Sequence, residues 1–156
     1  MAIDANKITS LIKGMEQDGF SIAIPSIKER ENALSIMLRT KFLQPSTTNE
    51  LWLAKDRMLH HPILLVKKNS TPVAFINFNI RNSEFGHKGY IRSVYVYPEF
   101  RGKGISKKII NIAELFLPKP WWMIIDSKNT TMLDNVRKLG YSKYKVLGTK
   151  VLVERR

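Results

Sequence analysis

Apolar residues fall first at helical spacing. Ile8, Leu11, Ile12 and Met15 share one face, and Gly14, Asp18 and Gly19 end the pattern before Phe20. A short strand over 21–24 is expected next. Beyond Pro25, a residue suited to a helix start, Ile27, Leu34, Met37 and Leu38 line one face while Lys28, Glu29, Arg30 and Glu31 line the other. This predicts a second helix ending near Phe42. Thr47 with Glu50 three residues on has the form of a capping box ahead of Leu51, Trp52, Ala54, Met58 and Leu59. A third helix over 48–60 is therefore expected.

The period then changes. Residues 63–67 and 72–80 are rich in Val, Ile and Phe, and Asn69, Ser70 and Thr71 between them suit a hairpin turn. A loop over 86–89 leads into 90–97, whose aliphatic and aromatic side chains alternate as in a strand. Ile105, Ile109, Ile110, Ile112, Ala113 and Phe116 form the next helical stripe, closed by Pro118 and Pro120, and 121–126 reads as a buried strand. Met132, Leu133, Val136 and Leu139 predict a last helix stopped by Gly140, and 141–146 and 149–153 a last hairpin about Gly148. The order is that of a mixed α/β sheet layered with helices, with a β-α-β unit over 90–125.

Composition narrows the class. The 156 residues, 44% of them hydrophobic, suffice for one sizeable core, so residues 1–156 are expected to form a single domain. No apolar run approaches the roughly 18 to 20 residues that span a bilayer, and Asp4 and Lys7 interrupt any secretory leader. Zero Cys excludes disulfides and thiolate metal sites. These features suggest a cytoplasmic protein without a membrane partner. His60 and His61 are adjacent and so lack the spacing of a helical metal pair, and no metal site is expected. The net charge of +13 favours anionic partners such as nucleic acid, an acidic protein or a phosphate-bearing ligand, or serves solubility alone.

Candidate chemistry concentrates in Val94-Tyr95-Val96-Tyr97-Pro98-Glu99-Phe100-Arg101-Gly102-Lys103-Gly104-Ile105-Ser106, which leaves a strand, turns through glycines and opens a helix. The first amides of a helix lack internal partners and carry the positive end of its dipole, so such a turn can hold an anion. Glycine lets a phosphate approach the backbone. The spacing is neither that of a dinucleotide fingerprint nor that of a triphosphatase loop.

The window resembles the acyl-CoA signature of the GNAT acyltransferase superfamily. There, a strand ending Val-x-Pro precedes Arg or Gln, two residues, Gly, one residue, and Gly or Ala; Arg101, Gly104 and Ser106 occupy the three positions. Downstream, Asn129, Lys138, Gly140 and Tyr141 match a second family pattern. The resemblance covers about residues 60–155 and implies a mostly antiparallel sheet with helices on both faces. It further implies that the backbone of Val94, Tyr95 and Val96 bonds the pantetheine arm of acetyl-CoA. Amides of Arg101, Gly102, Lys103, Gly104, Ile105 and Ser106 would hold the pyrophosphate, and Asn129 would reach the pantetheine end. Lys103, Lys107 and Lys108 either pair with phosphates or stay solvated.

Three positions depart from the family. Ser106 replaces a small Gly or Ala and still offers an amide. Val136 stands where many members carry the Tyr that protonates the departing thiolate, and valine has no proton to give. Arg92 falls near the position of a general-base Glu, and arginine, always charged, is a poor base. Tyr95 and Tyr97 are the candidate catalytic residues, with His87, Tyr141, Asp126 and Ser127 behind them. Each also has a plain structural role open to it, His87 as an exposed loop residue and Asp126 as a strand end. Trp121 and Trp122 either pack in the core or stack a nucleic-acid base.

Two functions follow from the resemblance. One is an N-acetyltransferase moving an acetyl group from acetyl-CoA to an amine of a protein, small molecule or nucleic-acid base. The other is a module that keeps the fold without turnover and binds CoA or an anionic partner. The charge disfavours polyamine acceptors.

Overall fold

A computed structural model of the chain describes residues 5–39 and 63–156. The helix expected over 48–60, the end of the second helix near Phe42 and the His60, His61 pair lie outside the described residues. The described elements are α1 (Ala5–Gln17), β1 (Ser21–Ala23), α2 (Ile27–Arg39), β2 (Ile63–Lys68), β3 (Thr71–Ile80), β4 (Gly89–Val96), α3 (Ile105–Leu115), β5 (Trp121–Asp126), α4 (Thr130–Lys138), β6 (Ser142–Leu147) and β7 (Lys150–Arg155). A single 3-10 turn, Pro98–Phe100, joins β4 to the glycine loop.

Among the described residues, seven strands form one sheet in the order β1-β2-β3-β4-β5-β7-β6. Every neighbouring pair runs antiparallel except β4 and β5, whose parallel contact requires the crossover through α3. Helices cover both faces, as the alternation along β3 shows. Ala74 and Ile76 join a large core with Met15 of α1, Ile109 and Ile112 of α3 and Val136 of α4. Phe75, between them, turns the other way and packs with Ile63, Leu65 and Ala33 of α2. Among the described residues no helix is long and apolar enough to cross a membrane.

Local chemistry fixes the ends of these elements. A capping box starts α2: Ser26 Oγ accepts from the Glu29 amide at 3.2 Å, and the Glu29 carboxylate accepts from the Ser26 amide at 3.0 Å. Glu29 also pairs with Lys67, tying the helix start to β2.

The loop after β3 differs from its sequence reading. His87, expected to be exposed, is fully buried. Ser83 Oγ accepts the amides of Phe85 and His87, each at 3.1 Å, so its hydroxyl proton goes to His87 Nδ1 at 2.7 Å. His87 Nε2 lies 2.8 Å from a Glu154 carboxylate oxygen. With both ring nitrogens engaged, its ring stacked on Trp122 and perpendicular to that of Tyr144, the histidine locks the loop onto the sheet. Polarity in the sequence signals exposure only when the partners of the polar group are out of sight, and Glu154 is 67 residues away.

Trp121 and Trp122 are buried, and their indole N–H groups donate to the carbonyls of Leu117 and Arg81. Core packing is thus the role of both. Tyr141 is buried too, and its hydroxyl donates to Glu114 at 2.9 Å, while Arg155 reaches the same carboxylate at 3.0 Å. This network closes the core between α3 and the C-terminal strands.

Candidate functional site

The site arises where β4 and β5 part. Their parallel pairing consists of Gly89 with Trp121 and Tyr90 with Trp122. Beyond Tyr90 the strands splay, while β4 stays paired to β3 as far as Val96. Part of the divergence is built into β4: Asn77 pairs with Ser93 and Phe78 with Ile91, so Arg92 is the extra residue of a β-bulge, which bends and twists its strand.

After β4 the chain turns through Gly102 and Gly104, at φ 79° and 74°, values that a side chain rarely permits. Gly104 is the N-cap of α3 and offers no capping side chain, so the first amides of the helix stay available to an external anion. A Cβ built on Gly102 or Gly104 meets nothing within 4 Å, because both face open space.

That space is a cavity of about 500 Å³. Val94, Tyr95 and Val96 of β4 form one wall, Phe100, Arg101, Gly102, Gly104, Ile105, Ser106 and Lys107 the mouth, and Asn129, Thr131, Met132 and Asn135 the opposite wall. Arg101 and Lys107 bring positive charge, and no carboxylate stands among the described lining residues. With the end of the α3 dipole, the mouth suits a doubly charged phosphate group.

The structure therefore brings together Val94, Tyr95, Val96, Arg101, Gly102, Gly104, Ile105, Ser106 and Asn129, all named from the sequence. Lys103 is not part of the lining; its ammonium sits 5.6 Å above the Phe100 ring. Lys108 turns to Asp18, just past the end of α1, at 2.9 Å, whereas Lys107 faces the cavity. Arg101 folds back so that Nε donates to the Val96 carbonyl at 2.9 Å, with its guanidinium over the Tyr95 ring.

Asn129 has a second role that the sequence reading missed. Its side-chain oxygen accepts the Met132 amide at 3.2 Å, capping α4 and leaving the side-chain NH₂ as a donor. Asparagine just before a helical stripe is itself a cap signal. Thr131, Met132 and Asn135 were missed as well, although three- and four-residue spacing puts them on one face of α4.

Of the two candidate catalytic residues, Tyr95 lines the cavity and stacks on Phe75, with centroids 5.6 Å apart. Tyr97 lies outside the lining and packs edge-on against Tyr95. Asp126 accepts the Lys128 amide at 2.9 Å, the turn expected of a strand end. Ser127 is exposed and outside the cavity, and Tyr141 is committed to Glu114. Val136 points into the core at 1% exposure, away from the cavity.

A family model described as the acetyltransferase (GNAT) family matches residues 31–141. No curated protein is significantly similar. Among solved structures, Naa50 of Arabidopsis thaliana, in complex with a CoA-peptide bisubstrate analogue, superposes with a TM-score of 0.66 at 16% identity over 88% of this chain and 99% of that one. The PaiA N-acetyltransferase of Thermoplasma acidophilum, with coenzyme A, gives 0.68 at 16% identity over 88% and 98%. YncA of Salmonella typhimurium, with acetyl-CoA, gives 0.61 at 18% identity over 88% and 93%. At these identities the likeness is one of fold.

Proposed function

Because this chain belongs to the GNAT acetyltransferase family, we propose that it transfers the acetyl group of acetyl-CoA to an amine. The observation that carries the reading is the cavity between the splayed strands and the uncapped start of α3. In this reading the pantetheine arm lies along Val94, Tyr95 and Val96 as an added strand, the pyrophosphate sits on the amides from Arg101 to Ser106, and the Asn129 NH₂ meets the arm from the far wall.

The reaction asks for position more than for acid and base. An unprotonated amine attacks the thioester carbonyl carbon, the new C–N bond forms, the C–S bond breaks, and the amine proton leaves to solvent or a side chain. Holding the two reactants in contact supplies much of the rate, and a backbone N–H such as that of Val96 would stabilise the negative carbonyl oxygen. The CoA thiolate leaves without an obligatory acid. Tyr95, a lining residue whose ring packs between Phe75 and the Arg101 guanidinium, is the candidate for proton movement.

A second reading, a CoA-binding module without turnover, is favoured by two observations: Val136 is in the core, and Arg92 fills the position near which the family carries a base. Calorimetric titration with acetyl-CoA, followed by free-thiol release with an amine panel, separates the two. Micromolar binding with thiol release supports the enzyme, binding alone supports the module, and no binding overturns both.

A further inference from the structure

Arg92 stands at the meeting of two irregularities. On the β3 side it is the unpaired residue of the bulge between Ile91 and Ser93. On the β5 side it lies two residues past Tyr90, the last to pair with that strand. It therefore marks the closed end of the opening between β4 and β5.

A second cavity, about 70 Å³, occupies that point. Arg92 and Asp126 are its charged lining, and Val94, Asn129 and Met132 belong to both cavities. The small space thus adjoins the large one and has room for a group of a few atoms. The Arg92 Nε is buried and has no hydrogen-bond acceptor among the described residues. Asp126 does not serve as one: it accepts the Lys128 amide instead.

A guanidinium stays charged at any pH a protein tolerates, and its five donors are arranged in a planar fork that matches a carboxylate. Native proteins seldom leave such a buried donor without a partner, and where they do a ligand is a natural explanation. A partner taken up in this cavity would be small and, on the acetyl-transfer reading, next to the reacting thioester, and a fixed positive charge selects for an anion. The acetyl group carries no charge, so the anion belongs to the other substrate.

We propose that Arg92 determines acceptor specificity by holding a carboxylate borne by the amine, so that the preferred acceptor is a free amino acid. This rests on the acetyl-transfer reading above. Only one carbon separates amine and carboxylate in an α-amino acid, so a bidentate grip on the carboxylate also fixes the amine. The same positive charge repels diamines, in keeping with the net charge of +13.

The test uses the twenty proteinogenic amino acids as free acids and as carboxamides, with thiol release measured for wild type, Arg92→Gln and Arg92→Lys. Acetyl-CoA affinity is titrated for each protein, and succinyl-CoA replaces acetyl-CoA in a parallel arm. In the wild type, at least one acid should exceed its carboxamide in kcat/KM by about tenfold or more, the scale of a lost charged hydrogen bond. The comparison is stringent, because the less basic amine of a carboxamide is the more available nucleophile at neutral pH. Arg92→Gln should erase the preference, Arg92→Lys should keep part of it, and acetyl-CoA affinity should stay within about twofold. Equal use of acid and amide, a preference that survives Arg92→Gln, or a loss confined to succinyl-CoA would each overturn the proposal. So would acetyl-CoA binding with no amino acid acetylated. Failure of the wild type to bind acetyl-CoA at all would instead bring down the transfer reading on which the proposal rests.

Discussion

Tyr90 and Trp122 form the last backbone pair of the parallel β4–β5 contact, and their rings lie 4.4 Å apart. The aromatic pair closes one end of the opening; beyond it, β4 has no strand partner on that side among the described residues. An extended ligand taken up there would give main-chain groups of β4 hydrogen-bond partners on that side. Acetyl-CoA should therefore slow amide hydrogen exchange over residues 94–96 and 101–106 by about tenfold or more, while β6 and β7 stay unchanged. Exchange mass spectrometry with and without acetyl-CoA reads this directly, and unchanged exchange at both segments would remove the cofactor from this cavity.

Gly104 and Gly148 share a left-handed backbone, φ 74° and 63°, and a Cβ on either meets nothing within 4 Å. Only Gly104 borders the cavity. Alanine at each should cost similar stability, about 1–2 kcal/mol by urea unfolding. Gly104→Ala alone should also weaken acetyl-CoA binding, by about tenfold or more, because the added methyl enters the space assigned to phosphate. Equal affinity in the two variants would refute that assignment.

What the sequence made legible was local. The strand Val94–Val96, the glycine turn and the start of α3 lie within 13 consecutive residues, so their spacing carried both the local structure and the expected chemistry. Asn129 came from the family pattern, and its capping bond is also local. What escaped depends on contacts between distant segments. The burial of His87 rests on Glu154, and the bulge at Arg92 is a register shift against β3. The box at Ser26 and Glu29 is, by contrast, a local pattern, with three-residue spacing directly after Pro25.

Glu114 offers a pH test. Burial raises its carboxyl above the usual range, against the lowering effects of the Tyr141 hydrogen bond and the Arg155 charge. With the folded value above the unfolded one, of about 4.3, its contribution is fully present below that pH and is lost as pH rises through the raised value. The stability of the wild type relative to Glu114→Gln should therefore fall with rising pH across that window, by at most about 1.4 kcal/mol per unit. Urea unfolding of both proteins from pH 4 to 8 measures it; a difference independent of pH would contradict the burial argument.

Val136 decides whether the missing proton donor can simply be restored. The family pattern points to this position, yet the side chain is 1% exposed within the core, and α4 turns Thr131, Met132 and Asn135 to the cavity instead. Val136→Tyr would push a phenol into packed space and should cost about 1–3 kcal/mol without raising thiol release per folded molecule. Asn135→Tyr, by contrast, would place a hydroxyl on the cavity wall with little loss of packing. Unfolding free energies and thiol-release rates on both variants separate the cases. Faster turnover at undiminished stability in Val136→Tyr would mean that α4 presents residue 136 to the reacting thioester, and that the valine alone withholds the acid.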